Sequence, residues 1–502
     1  MKCPICGNEI KETVCSQCGH LLEYDIIMMN LVSSLNQKEI DDYNKYIDVN
    51  KKIYTKKNND NKMINKIYDL AMQYYNRKNY ETAMDLFNIL AEYDHLLSIF
   101  KIGYMYDEGL GVEQDYIKAK EWYEISINLG SIMAINNIGV LYECGLGVKQ
   151  DYKKAKEYYE KAAALGNKYA LRNLGLLYYN GKGVEQDYTK AREYYEKAAM
   201  LNHDGAINSL GLLYQQGHGV MKDYKKAKEY YEKAAALGNK YALHNLGVLY
   251  SNGKGVDQDY TKAREYYEKA ANLGYASSIN SLGLMYEEGC GVEQDYTRAV
   301  KLYERAAKKE NMYAMRNLGL MYYKGRGVKQ DYTKAKEWYE KAIEFNYAKA
   351  YTSLGILYDY GRGVSQDYYK AAELYEKAAT MGESYAMHNL GLFYADGKGV
   401  TQDYHKAKEW YEKAIALNHS GAMNSMGILY HNGYGVKRDY IKAKEWYEKA
   451  IPLGNEFAMY NLGLLYEYGN GVKKDLSKAE QLYRDAAKLG HEKSKEKLKN
   501  LK

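Results

Sequence analysis

Four of the six cysteines crowd into the opening segment MKCPICGNEIKETVCSQCGH. Cys3 and Cys6 are two residues apart, as are Cys15 and Cys18, and eight residues separate the pairs. Four thiolates at this spacing can close a tetrahedral shell around one Zn2+ ion. Gly7 and Gly19 each follow the second cysteine of a pair, where a tight knuckle turn needs a small residue. So short a segment cannot bury a core, so bound zinc would supply most of its folding energy. A redox dithiol or a disulfide pair is the other chemistry open to these residues. His20 is surplus to four thiolates. Lys2 and Lys11 are offset by Glu9 and Glu12, so the segment has no basic patch for nucleic acid.

Elsewhere chemistry-bearing residues are sparse. Ser494 and Lys497 stand in a serine–lysine spacing, but in a charged C-terminal segment with no supporting motif. The ten histidines are scattered and show no metal-ligand spacing. Glycine pairs of the form GxG follow helical rather than strand-like patterns, which speaks against phosphate loops. Cys144 and Cys290 stand alone, each beside a loop glycine. No catalytic set emerges, and the chain reads as a non-enzyme. A hydrolase acting on a β-lactam or peptide is the alternative on the enzymatic side.

The GxG pairs have another meaning. A GxGV motif begins at Gly109 and returns every 36 residues through Gly469, eleven times without a slip. A fixed period of this size marks a stack of identical supersecondary units. In the unit from Tyr169 to Asn202, the residues Ala170, Leu174, Leu177 and Tyr178 fall at helical spacing. That first helix should end at Asn180–Gly181, where glycine accepts a left-handed cap. Val184 should plug the loop, and Asp187 should N-cap a second helix. Ala191, Tyr195 and Ala198 share one face of that helix. Glu and Lys cover the other face and suggest i,i+4 pairs such as Glu157 with Lys161. In every unit a glycine (here Gly175) precedes a tyrosine by three, and an alanine (Ala191) precedes a tyrosine by four. These read as close-approach and core-packing positions, which accounts for most of the 60 tyrosines.

The small, small and aromatic positions resemble those of the tetratricopeptide superfamily, and the extra GxGV loop resembles its Sel-one-like repeat branch. The resemblance implies an all-α, right-handed superhelical solenoid of two-helix repeats. Ala71, Tyr74, Ala83 and Phe87 repeat the pattern without the loop insertion and resemble a plain tetratricopeptide unit. The cysteine segment is similar to short zinc ribbons at bacterial protein N-termini. The expected organisation is a zinc ribbon over 1–20, a helical and charged linker over 21–61, and a tetratricopeptide-like capping repeat over 62–95. Eleven 36-residue repeats follow over 96–491, then a C-terminal capping helix over 492–502. Some secreted relatives brace each repeat with a cysteine pair, which this chain lacks.

Function should sit where repeats differ, and here they differ with a second period of 72 residues. Tyr169, Arg172 and Asn173 return as Tyr241, His244 and Asn245, as Tyr313, Arg316 and Asn317, and as Tyr385, His388 and Asn389. The intervening units carry mostly small residues, Asn or Thr, and Ser at those places. The resemblance puts Tyr169, Arg172, Leu176, Tyr179 and Asn180, with their counterparts, on the concave face of the array. Tyr and Arg are typical hot-spot residues, and Asn satisfies both donor and acceptor of an extended backbone. The expected function is a scaffold or adaptor for protein or peptide partners. A regulatory adaptor docking through the zinc ribbon is a further alternative. Duplication of a repeat pair, with Asn bonding neighbouring groups, is the competing account of the alternation.

Net charge is +6, with 71 basic and 65 acidic residues, too balanced for nucleic acid as the main partner. The chain opens without an apolar signal segment, and Leu21–Leu35 is interrupted by Glu23 and Asp25, so no membrane span is expected. The expectation is a cytoplasmic, reduced monomer with zinc as its only cofactor.

Overall fold

A computed structural model describes residues 60–500. The expected zinc ribbon, with Cys3, Cys6, Cys15 and Cys18, and nearly all of the expected linker lie outside the described residues. Within them the chain forms 25 α-helices and one 3-10 turn, Ile451–Leu453, at Pro452. There are no strands among the described residues. The fold is an all-helical solenoid of paired repeats. The described residues divide into two compact units, 60–206 with His218–Val220, and Ile207–Gly217 with 221–500.

The boundaries follow from local chemistry. In the first unit, Lys168–Asn180 is the first helix of its repeat. Asn167 caps its start by accepting from Ala170 N, and Gly181 ends it in the left-handed region at φ 67°. The second helix, Tyr188–Met200, starts where Asp187 accepts from Thr189 N and Lys190 N. The equivalent Asp caps every second helix, from Asp115 to Asp475. The GxG–Asp spacing therefore fixes the reversal between the helices. Val184 is half-buried in that loop and packs beside Ala155, Tyr159 and Leu174.

The two helices of a repeat are held by a ring laid on a glycine. Gly319 lies against Tyr339, so near that a Cβ on it would sit 2.5 Å from Tyr339 Cε1. Gly175 and Tyr195 make the same contact in the first unit. The sequence pairs Gly175 with Tyr178 by proximity, but the ring on the glycine comes from the second helix. Tyr178 instead stacks on Tyr194 at 5.7 Å. The buried phenols also find partners. Tyr303 donates to Glu287 at 2.7 Å, and Tyr159 donates to Glu143 at 2.8 Å. Burial and the adjacent carboxylate both push the Tyr303 phenol up, so it stays a protonated donor.

The outer charges pair differently from the expectation. Lys156 meets Glu160 at 2.8 Å, with the same pair at Lys228–Glu232 and Lys408–Glu412. Lys161, expected on Glu157, instead lies 5.3 Å above the Tyr158 ring. An adjacent ring one turn back offers a lysine a nearer partner than an exposed carboxylate does.

The ends are closed by different means. Asp60–Asn76 and Tyr80–Ala91 form the loop-free N-terminal pair, with Ala71, Tyr74, Ala83 and Phe87 all buried. At the other end, Glu492–Asn500 presents lysines outward, while Leu498 packs inward. Lys497 bonds both carboxylate oxygens of Glu467. Leu501 lies outside the described residues.

The ring-on-glycine contact predicts an ordering of substitutions. Gly319→Ala forces the Tyr339 ring away and should cost about 1–3 kcal/mol of stability. Gly382→Ala has open space around its Cβ but sits at φ 86°, and should cost about 1–2 kcal/mol from backbone strain alone. Denaturant unfolding of the two variants checks the order, with Gly319→Ala the more damaging.

Candidate functional site

The residues singled out by the 72-residue alternation all fall on first helices, near the turns that join one repeat to the next. Their tyrosines are exposed: Tyr169, Tyr241, Tyr313 and Tyr385 retain 45–63 % of their surface. Each sits in the first turn of its helix, and its ring edge meets the cap residue of the following repeat. Tyr169 meets His203 at 5.0 Å in the first unit. In the second, Tyr241 meets Tyr275, Tyr313 meets Tyr347 and Tyr385 meets His419, at 5.0, 5.0 and 4.6 Å.

One turn further on, Arg172, His244, Arg316 and His388 are half-buried and reach into the following repeat. His244 Nδ1 lies 2.9 Å from Ser278 Oγ, and His388 Nε2 lies 3.0 Å from Ser425 Oγ. Arg316 Nε donates to Ser353 Oγ at 3.4 Å. Arg172 runs over Gly205, where a Cβ would come within 3.0 Å of its Nε. Gly205 and Gly421 are small because Arg172 and His388 need the room, whereas Ser278, Ser353 and Ser425 serve as hydrogen-bond partners.

The asparagines point the other way along the chain. Asn173 donates to Asn136 at 3.2 Å, Asn245 to Asn208 at 3.0 Å and Asn317 to Asn280 at 3.1 Å. Asn389 departs from the series. Thr352 replaces its expected partner and donates to Glu383 at 2.8 Å, while Asn389 bonds the Tyr375 phenol. Two kinds of junction thus alternate within each unit. One is an amide–amide bond; the other joins a ring pair to a contact from Arg or His to a serine or glycine. The second period in the sequence records which neighbour each repeat must fit.

Burial sets the protonation of the two central histidines. It lowers His244 to about 4. Burial, helped by the His419 ring 4.8 Å away, lowers His388 to about 3. Burial also lowers His419, against an opposing pull from Glu383.

The serine–lysine spacing does not form a site. Ser494 is fully buried and lies 2.9 Å from His491 Nδ1 as part of a helix cap, and Lys497 is held by Glu467. No group of three or more His, Cys, Asp or Glu that could hold a metal occurs among the described residues. Nor is any described helix long and apolar enough to cross a membrane. One feature that the residue-type search passed over is a column of exposed apolar residues at the tips of the inter-repeat turns. Leu237, Leu273 and Leu417 belong to it, and its signal is their 36-residue register.

Comparison with known proteins agrees with this geometry. The Sel1 repeat model matches eleven consecutive segments, from residues 96–131 to 457–491, and a tetratricopeptide repeat model matches residues 64–96. The chain belongs to the Sel1 repeat family. Among solved structures, it is similar to a protective antigen of uropathogenic Escherichia coli strains that displays an SLR fold. That match has 32% identity and a TM-score of 0.55, and covers 83% of this chain and 90% of the other. A Sel1 repeat protein from Oxalobacter formigenes is 35% identical over 49% of this chain and 99% of its own, at a TM-score of 0.45. Comparison with curated proteins gives no match. Sel1 repeat arrays are protein–protein interaction scaffolds, and this chain is one; families built on them are generally non-catalytic.

The buried histidines predict an acid-sensitive fold. Their folded values lie below the unfolded value of 6.5, so the unfolded chain takes up more protons as pH drops. Stability should be fully present above pH 6.5 and fall as pH moves from there towards about 4 for His244 and about 3 for His388. Thermal melts across this range should show a shallower decline for His244→Asn/His388→Asn than for the parent chain.

Proposed function

We propose that the chain gathers protein or peptide partners along the exposed rows of its first helices, as a non-catalytic scaffold. The observation that carries this is the half-exposed tyrosine in the first turn of alternate first helices, Tyr241, Tyr313 and Tyr385 in one unit. Each ring is already braced by an edge contact to the next repeat, so little freedom is lost when a partner covers it. Tyr169 plays the same part in the first unit. Arg172, His244, Arg316 and His388 support the rings and the junctions beneath them, and Asn173, Asn245 and Asn317 tie neighbouring repeats together. Asn389 supports Tyr375.

Affinity capture from cell extract, with Tyr241→Ala/Tyr313→Ala/Tyr385→Ala as comparison, tests this. A partner of the intact chain should bind the variant about tenfold more weakly or worse. Equal retention by both would move the working surface off the first helices.

We also propose that Cys3, Cys6, Cys15 and Cys18 hold one structural Zn2+ ion, a reading supported by their paired spacing. The purified chain should carry about one zinc per molecule by elemental analysis. Cys3→Ser/Cys15→Ser should lose it, with the melting of the repeat array unchanged.

A further inference from the structure

The turns joining each second helix to the next first helix form one edge of the solenoid. In the unit from Met221 onward, Leu237, Leu273, Leu417 and Leu453 stand at equivalent tips, each 48–50 % exposed. Phe345 and Met381 hold the same position at 40 and 44 %. A single half-exposed leucine needs no explanation, but the same residue recurring in register is a ridge. The helices leading to these tips are of nearly constant length, so the tips end level with one another.

The ridge is accompanied by positive charge. Lys233, Lys269, Lys341 and Lys413 occupy the last turns of the second helices and are exposed. The nearby carboxylates Glu232, Glu340 and Glu412 are held one turn back by Lys228, Lys336 and Lys408, and the exposed Glu229, Glu265, Glu337 and Glu409 lie a turn further from the tips than the last-turn lysines. The turns 233–241, 269–277 and 413–421 contain no acidic residue at all. Where the apolar column is interrupted, Lys308 and Lys309 take its place. Acids do occur at tips, as Glu310 beside Lys309, and as Glu344 and Glu456.

We propose that this edge is a docking surface for an anionic lipid bilayer. Projecting leucine tips suit insertion into an acyl boundary. Leucine at the tip with lysine one turn behind suits a membrane–water interface. Lysines near an anionic surface each add favourable energy that salt screens. The opposite edge, formed by the GxGV loops, is different in kind. Its Asp residues are bound to helix starts, and open clefts line it at Val292–Arg298 and Val472–Leu476. The edge leaves the first-helix rows free, so a docked array could still hold a protein.

Co-sedimentation of the full chain with vesicles tests the assignment, using phosphatidylcholine alone or mixed with phosphatidylglycerol. Binding is expected only to the mixed vesicles, weakening as salt is raised. Leu237→Gln/Leu273→Gln/Leu417→Gln should weaken it about tenfold or more, with helicity retained and melting lowered only modestly because these side chains are half-exposed. Lys233→Gln/Lys269→Gln/Lys413→Gln should weaken it and flatten the salt dependence. Lys254→Gln/Lys398→Gln, on the opposite edge, should leave it unchanged. No binding to mixed vesicles at low salt would overturn the proposal. So would full binding by the leucine variant, which would place any lipid contact elsewhere, for example in the lysine-rich 51–62 segment. Equal competition by soluble polyglutamate against the parent and leucine variant would also overturn it, in favour of an acidic protein partner.

Discussion

Everything in the repeat array depends on one contact, a tyrosine ring from the second helix packed directly against a glycine of the first. The contact sets how closely the two helices approach. It leaves no room for a Cβ, so the glycine is an obligate member of the pair rather than a flexible point in the helix. It also buries a phenol, which then requires a partner. Glu287 and Glu143 meet that need for Tyr303 and Tyr159. A half-buried carboxylate beside a buried phenol costs desolvation, and the shared hydrogen bond offsets it. The packing contact thus brings a polar one with it.

Between repeats the solution is different, because each repeat must fit two neighbours. A homogeneous array could use one junction throughout. This chain uses two in alternation, amide to amide and then ring to ring with a basic side chain crossing into the next repeat. Large groups in one repeat face small ones in the next, as Arg172 over Gly205 and His388 beside Gly421. Complementary junctions of two kinds penalise a slip of one repeat, since two long side chains or two gaps would then meet. The alternation is therefore part of what holds the order of the stack.

The division of labour on the surface follows from the same geometry. Side chains that cross a junction are consumed by it, so half-buried Arg and His support the surface rather than form it. The tyrosines one turn earlier, braced on one edge and open on the other, remain available. Tips of the inter-repeat turns lie beyond any junction, and their leucines stay half-exposed. A repeat protein acquires long, uniform surfaces because a feature allowed once by the fold is allowed at every period.

The sequence by itself determined the period, the helix boundaries and the capping residues. Glycine in a left-handed cap and aspartate at a helix start act over a few residues, so their spacing is legible without the fold. It also determined that Ala191 and Tyr195 face a core, because helical periodicity puts them on one side. Only the tertiary structure decided which ring sits on Gly175, since Tyr178 and Tyr195 are equally plausible by type and only packing brings the latter across. It alone assigned Asn173 to Asn136 and His244 to Ser278, partners 37 and 34 residues away. A one-dimensional pattern shows that such residues alternate, but not that they do so to fit the next repeat. That requires knowing which helices touch, and contact between repeats is a property of the stack rather than of any unit within it.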